Sequence, residues 1–344
     1  MTGHHLKICL IGDFSDPKDE GMKKVAYKLA LLLSRSHKVL PLHLKSLFMP
    51  NFWRELKRFG PEIVLYVGGP SLLSFVIAKA ISTFCVLNFG MRPKTVLFAL
   101  HPSLPLVFRR ASTLFRPDLI LAQSYASQSM FRKLGLRTCF LPVGVDTEKF
   151  IPIAPLRKIH LRKKYGLRRT AFVILHVGSV RRNRGLEILS RIQMNKGNCV
   201  LVIGSTSMPI DRSVHTMLTE SGCLVWRRHF AEIEELYQLA DLYVFPVVDK
   251  LGSIELPLSI MEAMACNLPV ISTKFGALPR ILKEDEEEGL IYVNEIDEIP
   301  SRTEQIKNSE LRIRTRERVM QYSWESVTQS LTGCLCRLVG EQER

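Results

Sequence analysis

Two carboxylates and three guanidinium groups offer most of the chemistry in this 344-residue chain. Residues Val244–Arg280 read VFPVVDKLGSIELPLSIMEAMACNLPVISTKFGALPR. A loop containing Gly252 delivers Glu255 just ahead of a helix opened by Pro257. Glu262 lies seven residues on, about two helical turns, so it projects from the same side. Backbone N–H groups at Leu258 and Ser259 would favour an anion such as a diphosphate. Two carboxylates beside it could accept hydrogen bonds from sugar hydroxyls. Capping and surface roles are the plainer alternative. Glu262, however, sits in an apolar stretch, LSIMEAMA, where an unpartnered carboxylate is costly.

A second constellation follows the apolar run Ala171–Val177. Gly178 and Ser179 end that run, and Arg181, Arg182 and Arg184 come next. Guanidinium groups directly after a strand-ending glycine suit phosphate, which arginine grips as a planar fork. A solvated turn is the alternative. Gly204 ends the next apolar run, Cys199–Ile203. In the first half, Gly21 lies between a strand and a helix. There it allows backbone to approach a phosphate or an acceptor, or serves as a plain turn. His101 directly follows the strand-like run TVLFAL and precedes a proline, which fits an active-site loop or an ordinary turn. His4 and His5 are expected to be an unstructured terminus. No Asp-x-Asp at a strand end and no His/Cys ligand spacing is present, so no metal is expected. Nor is there a G-x-S-x-G nucleophile elbow.

Short apolar runs alternating with helix-like stretches must position these residues. Lys7–Ile11, Lys38–Leu42, Glu62–Val67, Thr95–Leu100 and Asp118–Ala122 read as strands of one parallel α/β unit. Ala171–Val177, Cys199–Ile203, Cys223–Trp226, Leu242–Pro246 and Pro269–Thr273 read as a second. The prolines at 152 and 155 disfavour continuous helix or central strand, which places a linker near 145–157. The expected division is 1–150, 151–325 and a terminal helix over 326–344. The fold class is α/β, two Rossmann-like domains facing a cleft, with ligands beyond the carboxyl ends of the strands. The acidic run Glu284–Glu288 reads as a solvated loop. No window of about 18 uninterrupted apolar residues occurs, so no membrane span is expected. The eight cysteines are scattered, with Cys334 and Cys336 the close pair in sequence, as in a protein of the reducing cytoplasm.

The net charge of +15 is uneven: residues 1–150 carry a surplus of 12 positive charges and residues 151–344 a surplus of 3. A basic first half suggests an anionic partner, such as the inner face of a membrane or a phosphorylated acceptor. Nucleic acid is not expected, because no recognised binding module is present.

The segment PLSIMEAMACNLPVIST, followed by FGALPRI, resembles the signature of glycosyltransferase family 4, retaining enzymes of the GT-B fold. LPVGVDTEKF, LRKKYGL with ILHVGSVRRNRGLEIL, HFAEIEELYQLADLYVFP and YSWESV resemble further family segments in order. The resemblance implies that Glu262 binds the ribose of a nucleotide and Glu255 the hydroxyls of the donor sugar. It implies base contacts around Arg228–Phe230, a diphosphate loop at Gly178–Arg184, and a donor-facing histidine at His101. It also implies a terminal helix crossing back to the first domain. Two departures stand out. Glu255 and Glu262 are separated by six residues where the family has seven, and Ile254 holds the counted position. Ser179 stands where the family carries arginine, leaving Arg181 or Arg182 to substitute. The implied activity is metal-independent transfer of a sugar from a nucleotide diphosphate sugar, the co-substrate, to a glycan or lipid-linked acceptor. A nucleotide-sugar epimerase and a degenerate, non-catalytic binding member are the alternatives.

Overall fold

The expected strands form, and every one pairs in parallel. The computed structural model describes residues 5–16, 20–101 and 115–341. The chain divides into two compact units. The first comprises Met1–Val143, Ile254–Leu256 and Trp324–Arg344, and the second Gly144–Ser253 and Pro257–Ser323. The first stretch ends at Val143 rather than 150. The Val145 N–H donates to the Tyr322 carbonyl at 2.9 Å, tying that residue into the second unit.

The first unit contains β1 (Lys7–Gly12), α1 (Gly21–Leu33), β2 (Lys38–His43), α2 (Pro50–Phe59), β3 (Ile63–Gly68) and α3 (Leu72–Phe89). It continues with β4 (Lys94–Ala99), β5 (Leu119–Ala122), α4 (Tyr125–Lys133) and β6 (Thr138–Phe140). The sheet order is β2-β1-β3-β4-β5-β6. Its interior strands are buried on both faces, as their unbroken apolar letters require. Gly21 is the first residue of α1, not a loop residue. Glu20 caps that helix, accepting from the Met22 and Lys23 N–H groups. His5 is exposed, with Nδ1 2.8 Å from the Ser36 carbonyl, so it is held rather than loose; His4 lies outside the described residues.

Sequence reading missed α2 and α3. Helix α3 has 18 residues with Lys79 as its charged group, so by length and composition it could cross a membrane. It instead lies between β3 and β4 in chain order and buries Phe75, Ile77, Ala78, Ile81 and Cys85 in the core of this unit.

The second unit contains α5 (Pro155–Lys164), β7 (Phe172–Val177), α6 (Glu187–Gln193), β8 (Asn198–Ile203), α7 (Arg212–Glu220) and β9 (Leu224–Trp226). There follow α8 (Glu234–Leu239), β10 (Leu242–Phe245), α9 (Leu258–Ala265), β11 (Val270–Thr273), α10 (Leu278–Ile281) and β12 (Leu290–Val293). Helices α11 (Ile299–Lys307) and α12 (Thr315–Val319) close it, while α13 (Trp324–Gly340) belongs to the first unit. The order β9-β8-β7-β10-β11-β12 is that of a dinucleotide-binding sheet. Its direction of winding reverses between β7 and β10, and a crevice at such a reversal is where these sheets bind ligands.

Two local expectations change. The acidic run is not merely solvated: Arg302 pairs with Glu286, Arg318 with Asp285 and Glu288, and Arg314 with Glu288. Among the cysteines, the thiols that approach each other are Cys139 and Cys334, 3.4 Å apart. Packing of α13 beside β6 brings them together, which spacing along the chain does not reveal.

Candidate functional site

The loops after β7 and β10 meet around one buried side chain. Arg184 is 5 % exposed, and its Nη1 donates to the Gly252 carbonyl at 2.6 Å. Its guanidinium lies 5.6 Å from the centre of the Phe245 ring. Two glycines make room. A Cβ on Gly178 would stand 2.4 Å from the Arg184 guanidinium, and one on Gly252 would stand 2.8 Å from the Asn183 carbonyl oxygen. Gly178, which ends a strand, and Gly252, in the loop ahead of Glu255, are therefore both required by close packing. Among the described residues Arg184 forms no ion pair, and its Nε has no hydrogen-bond partner. Burial pushes its pKa down to about 10, and the Arg181 charge pushes the same way. A buried cation beside a second cation, without a carboxylate, is a poor arrangement for stability and a good one for an incoming anion.

His176, in β7, completes this cluster and was missed, since its strand reads as uniformly apolar. Its Nδ1 lies 2.9 Å from the Val244 carbonyl and its Nε2 3.5 Å from Arg184 Nη2. Burial, then the Arg184 charge, pushes its pKa down to about 3, so the ring is neutral, donating through Nδ1 and accepting at Nε2. Because the folded pKa lies below the unfolded value, this stabilisation is complete above pH 6.5 and fades as pH falls below it. The slope is about 1.4 kcal/mol per pH unit. His176→Gln keeps a donor and an acceptor without titrating. Between pH 7 and 5 the wild type should lose about 2 kcal/mol more than this variant in urea unfolding followed by Trp fluorescence.

Glu262 is buried in α9 and accepts from the Tyr237 hydroxyl at 2.7 Å. The partner that its apolar surroundings demanded is thus a tyrosine from α8. Burial, then the Glu262 charge, holds the Tyr237 pKa far above its usual value, so the tyrosine stays a donor. Leu258 and Ser259 open α9 behind Pro257, which supplies no side-chain cap. The first turn therefore keeps its polarity toward an anion.

Glu255 belongs to the first unit. Its N–H donates to the Leu100 carbonyl at 2.8 Å, and the Leu256 N–H to Gln123 Oε1 at 2.9 Å. Its Oε1 accepts from Ser124 Oγ at 2.5 Å and Ser127 Oγ at 2.6 Å. Its Oε2 is buried and has no hydrogen-bond partner among the described residues. Burial raises the carboxyl pKa, and the serine hydroxyls act against that rise. The Ser124 and Gln123 backbone N–H groups act in the same direction as the hydroxyls, and Oε1 is the oxygen that the serines fix. Neither serine stood out in the sequence, because their pairing spans 131 and 128 residues. Ile254, at the counted glutamate position, packs against Gly21: a Cβ there would lie 3.3 Å from Ile254 Cδ1. His101 follows β4 beside Gly69, half-buried, and residues 102–114 lie outside the described residues.

The other expected residues divide. Arg181 is half-buried beside Arg184, whereas Arg182 is exposed and engaged with Ser213 at 3.0 Å and Asp211 at 3.7 Å. Ser179 is half-buried. Gly204 ends β8, its N–H donating to the Trp226 carbonyl at 2.9 Å. Phe230 stacks on Trp226, which stacks on Tyr165, each pair with ring centres 6.0 Å apart. Arg228 lies 4.8 Å over the Phe230 ring. Such a platform can hold a planar base.

Residues 171–308 match the family described as glycosyl transferases group 1. The chain is similar to the sulfoquinovosyl transferase of Arabidopsis thaliana, 24% identical over 78% of this chain and 54% of that one. It is also similar to a GDP-mannose-dependent monoacylated phosphatidylinositol monomannoside mannosyltransferase of Corynebacterium glutamicum, 26% identical over 45% of each. The chain thus spans about half the length of these curated relatives. Among solved structures, sucrose-phosphate synthase of Thermosynechococcus elongatus shares the fold. The TM-score is 0.76 at 16% identity, over 97% of this chain and 99% of that one. The two parallel six-stranded sheets are those of the GT-B fold, and residues 171–308 of the second unit are similar to the group 1 glycosyl transferases.

Proposed function

We propose that the chain transfers a sugar, with retention of configuration, from a nucleotide diphosphate sugar held on its second unit to an acceptor bound by its basic first unit. The observation that carries this reading is the buried Arg184 guanidinium at the β7/β10 reversal, without an ion-pair partner among the described residues. Arg184, Arg181 and the first turn of α9 would stabilise the departing diphosphate without a metal ion. Glu262 would accept from ribose hydroxyls while Tyr237 orients it. The Trp226–Phe230 platform would hold the base. Glu255 Oε2 would accept from a hydroxyl of the sugar. Retention rests on the family resemblance. A lipid-linked acceptor is supported by the mannosyltransferase relative, whose name describes such an acceptor.

Incubation with a panel of nucleotide diphosphate sugars and with glycan or lipid acceptors tests this reading. Nucleotide release is expected to require one donor and an acceptor, and to survive a chelator. Conversion of donor to its epimer with no acceptor present would point to the epimerase instead. Failure of the folded protein to bind any donor would overturn the proposal.

A further inference from the structure

Helix α3 buries one stripe on the sheet and leaves an apolar face outward. Leu73, Val76, Ala80, Thr83, Val86 and Leu87 are exposed along about 21 Å of helix, with Lys79 and Asn88 the exposed polar side chains beside them. Leu73 is 61 % and Leu87 80 % exposed. Polar letters ordinarily occupy this face of a helix on a sheet. Helix α2 packs beside α3 through Trp53 against Phe84, ring centres 4.8 Å apart. Just ahead of α2, Phe48 is 89 % and Met49 60 % exposed. Helix α2 then turns Arg54, Lys57 and Arg58 to solvent, with Glu55 the acidic residue among them. Over residues 44–91 the chain has five basic and two acidic side chains.

We infer that this face of the first unit, α3 with the Phe48–Arg58 segment, docks onto an anionic lipid bilayer, with α3 lying in the interface rather than crossing it. Spanning would strip its buried stripe from the sheet, whereas lying flat buries only the side chains already exposed. The apolar residues supply penetration to the acyl boundary, and the basic groups supply attraction to the headgroups. Charge sign selects the partner. A second copy of this chain would bring the same positive set against itself.

Sedimentation with phosphatidylcholine vesicles, with and without phosphatidylserine, tests the inference on the full chain. Binding is expected only with phosphatidylserine and is expected to weaken with added salt. Arg54→Gln/Lys57→Gln/Arg58→Gln should weaken it about 100-fold, about fivefold for each charge. Leu73→Ser/Leu87→Ser should weaken it at least tenfold at every salt concentration, with the melting temperature retained, since both positions are exposed. Three results would overturn the inference: equal binding to neutral vesicles, binding indifferent to both variants, or a concentration-dependent dimer that the Leu73→Ser/Leu87→Ser variant abolishes.

Discussion

Replacing Arg184 with methionine is expected to weaken nucleotide diphosphate binding by 100-fold or more while leaving the ligand-free protein about as stable as wild type. Two opposing terms of similar size meet at this residue. The fall of its pKa from 12.5 to about 10 corresponds to about 3 kcal/mol held against the charged form by burial. The bond to the Gly252 carbonyl gives back about 2 kcal/mol, as hydrogen bonds from charged donors do. Methionine removes both and fills most of the space. A diphosphate would supply the missing counter-charge. Its loss should weaken a nucleoside diphosphate by 100-fold or more, on the scale of other buried charge pairs. Thermal melting with and without the ligand reads both halves. At 100 times its dissociation constant a ligand adds about 2.7 kcal/mol to the wild type, and a variant weakened 100-fold or more should gain at most about 0.4 kcal/mol. A variant stabilised by the ligand as much as the wild type would refute a diphosphate role. A ligand-free variant that melts far below wild type would make Arg184 a structural strut for the Gly252 loop.

That a buried guanidinium lay at this place was half legible in the sequence. The strand-ending glycines and the arginines after them marked a loop. Which arginine turns inward depends on Asp211 and Ser213, which draw Arg182 outward, and on Gly178 and Gly252, whose bare Cα atoms admit Arg184. None of these is adjacent in the chain. Helix α9 was legible for a different reason: its apolar letters and Pro257 are local signals, and so is the anomaly of a glutamate among them. Helix α3 was not legible, because an apolar outer face beside an apolar inner stripe erases the 3.6-residue period on which helix recognition depends. The residue that hid the helix is the same outward leucine, Leu87, that marks its exposed face. His176 was lost in the same way, as one polar letter in a buried strand whose role depends on what β10 places opposite it.

Glu255→Gln is expected to cut turnover by 100-fold or more while leaving nucleotide diphosphate affinity within about twofold, the range expected when a group acts mainly in the transition state. The serines make this substitution unusually clean. Ser124 and Ser127 both donate to Oε1, so the amide oxygen of glutamine must occupy that place and its NH2 must occupy the place of Oε2. The one oxygen left for a sugar hydroxyl becomes a donor that cannot accept. Stability should change little, because burial already disfavours the charge. Glu255→Ala, by contrast, orphans two buried hydroxyls and opens a cavity, at a cost of about 2–4 kcal/mol. Ser124→Ala/Ser127→Ala separates positioning from bulk. The serine bonds favour the ionised carboxylate, so losing them raises its pKa further. The acid limb of the kcat profile should then move to higher pH, a shift that a merely structural pair would not cause. Should Glu255→Gln instead keep wild-type turnover, the carboxylate would be only the anchor of residues 254–256. Ile254 would then mark a glutamate role lost from this chain, and nucleotide binding would survive around Arg184 and Glu262 without the chemistry.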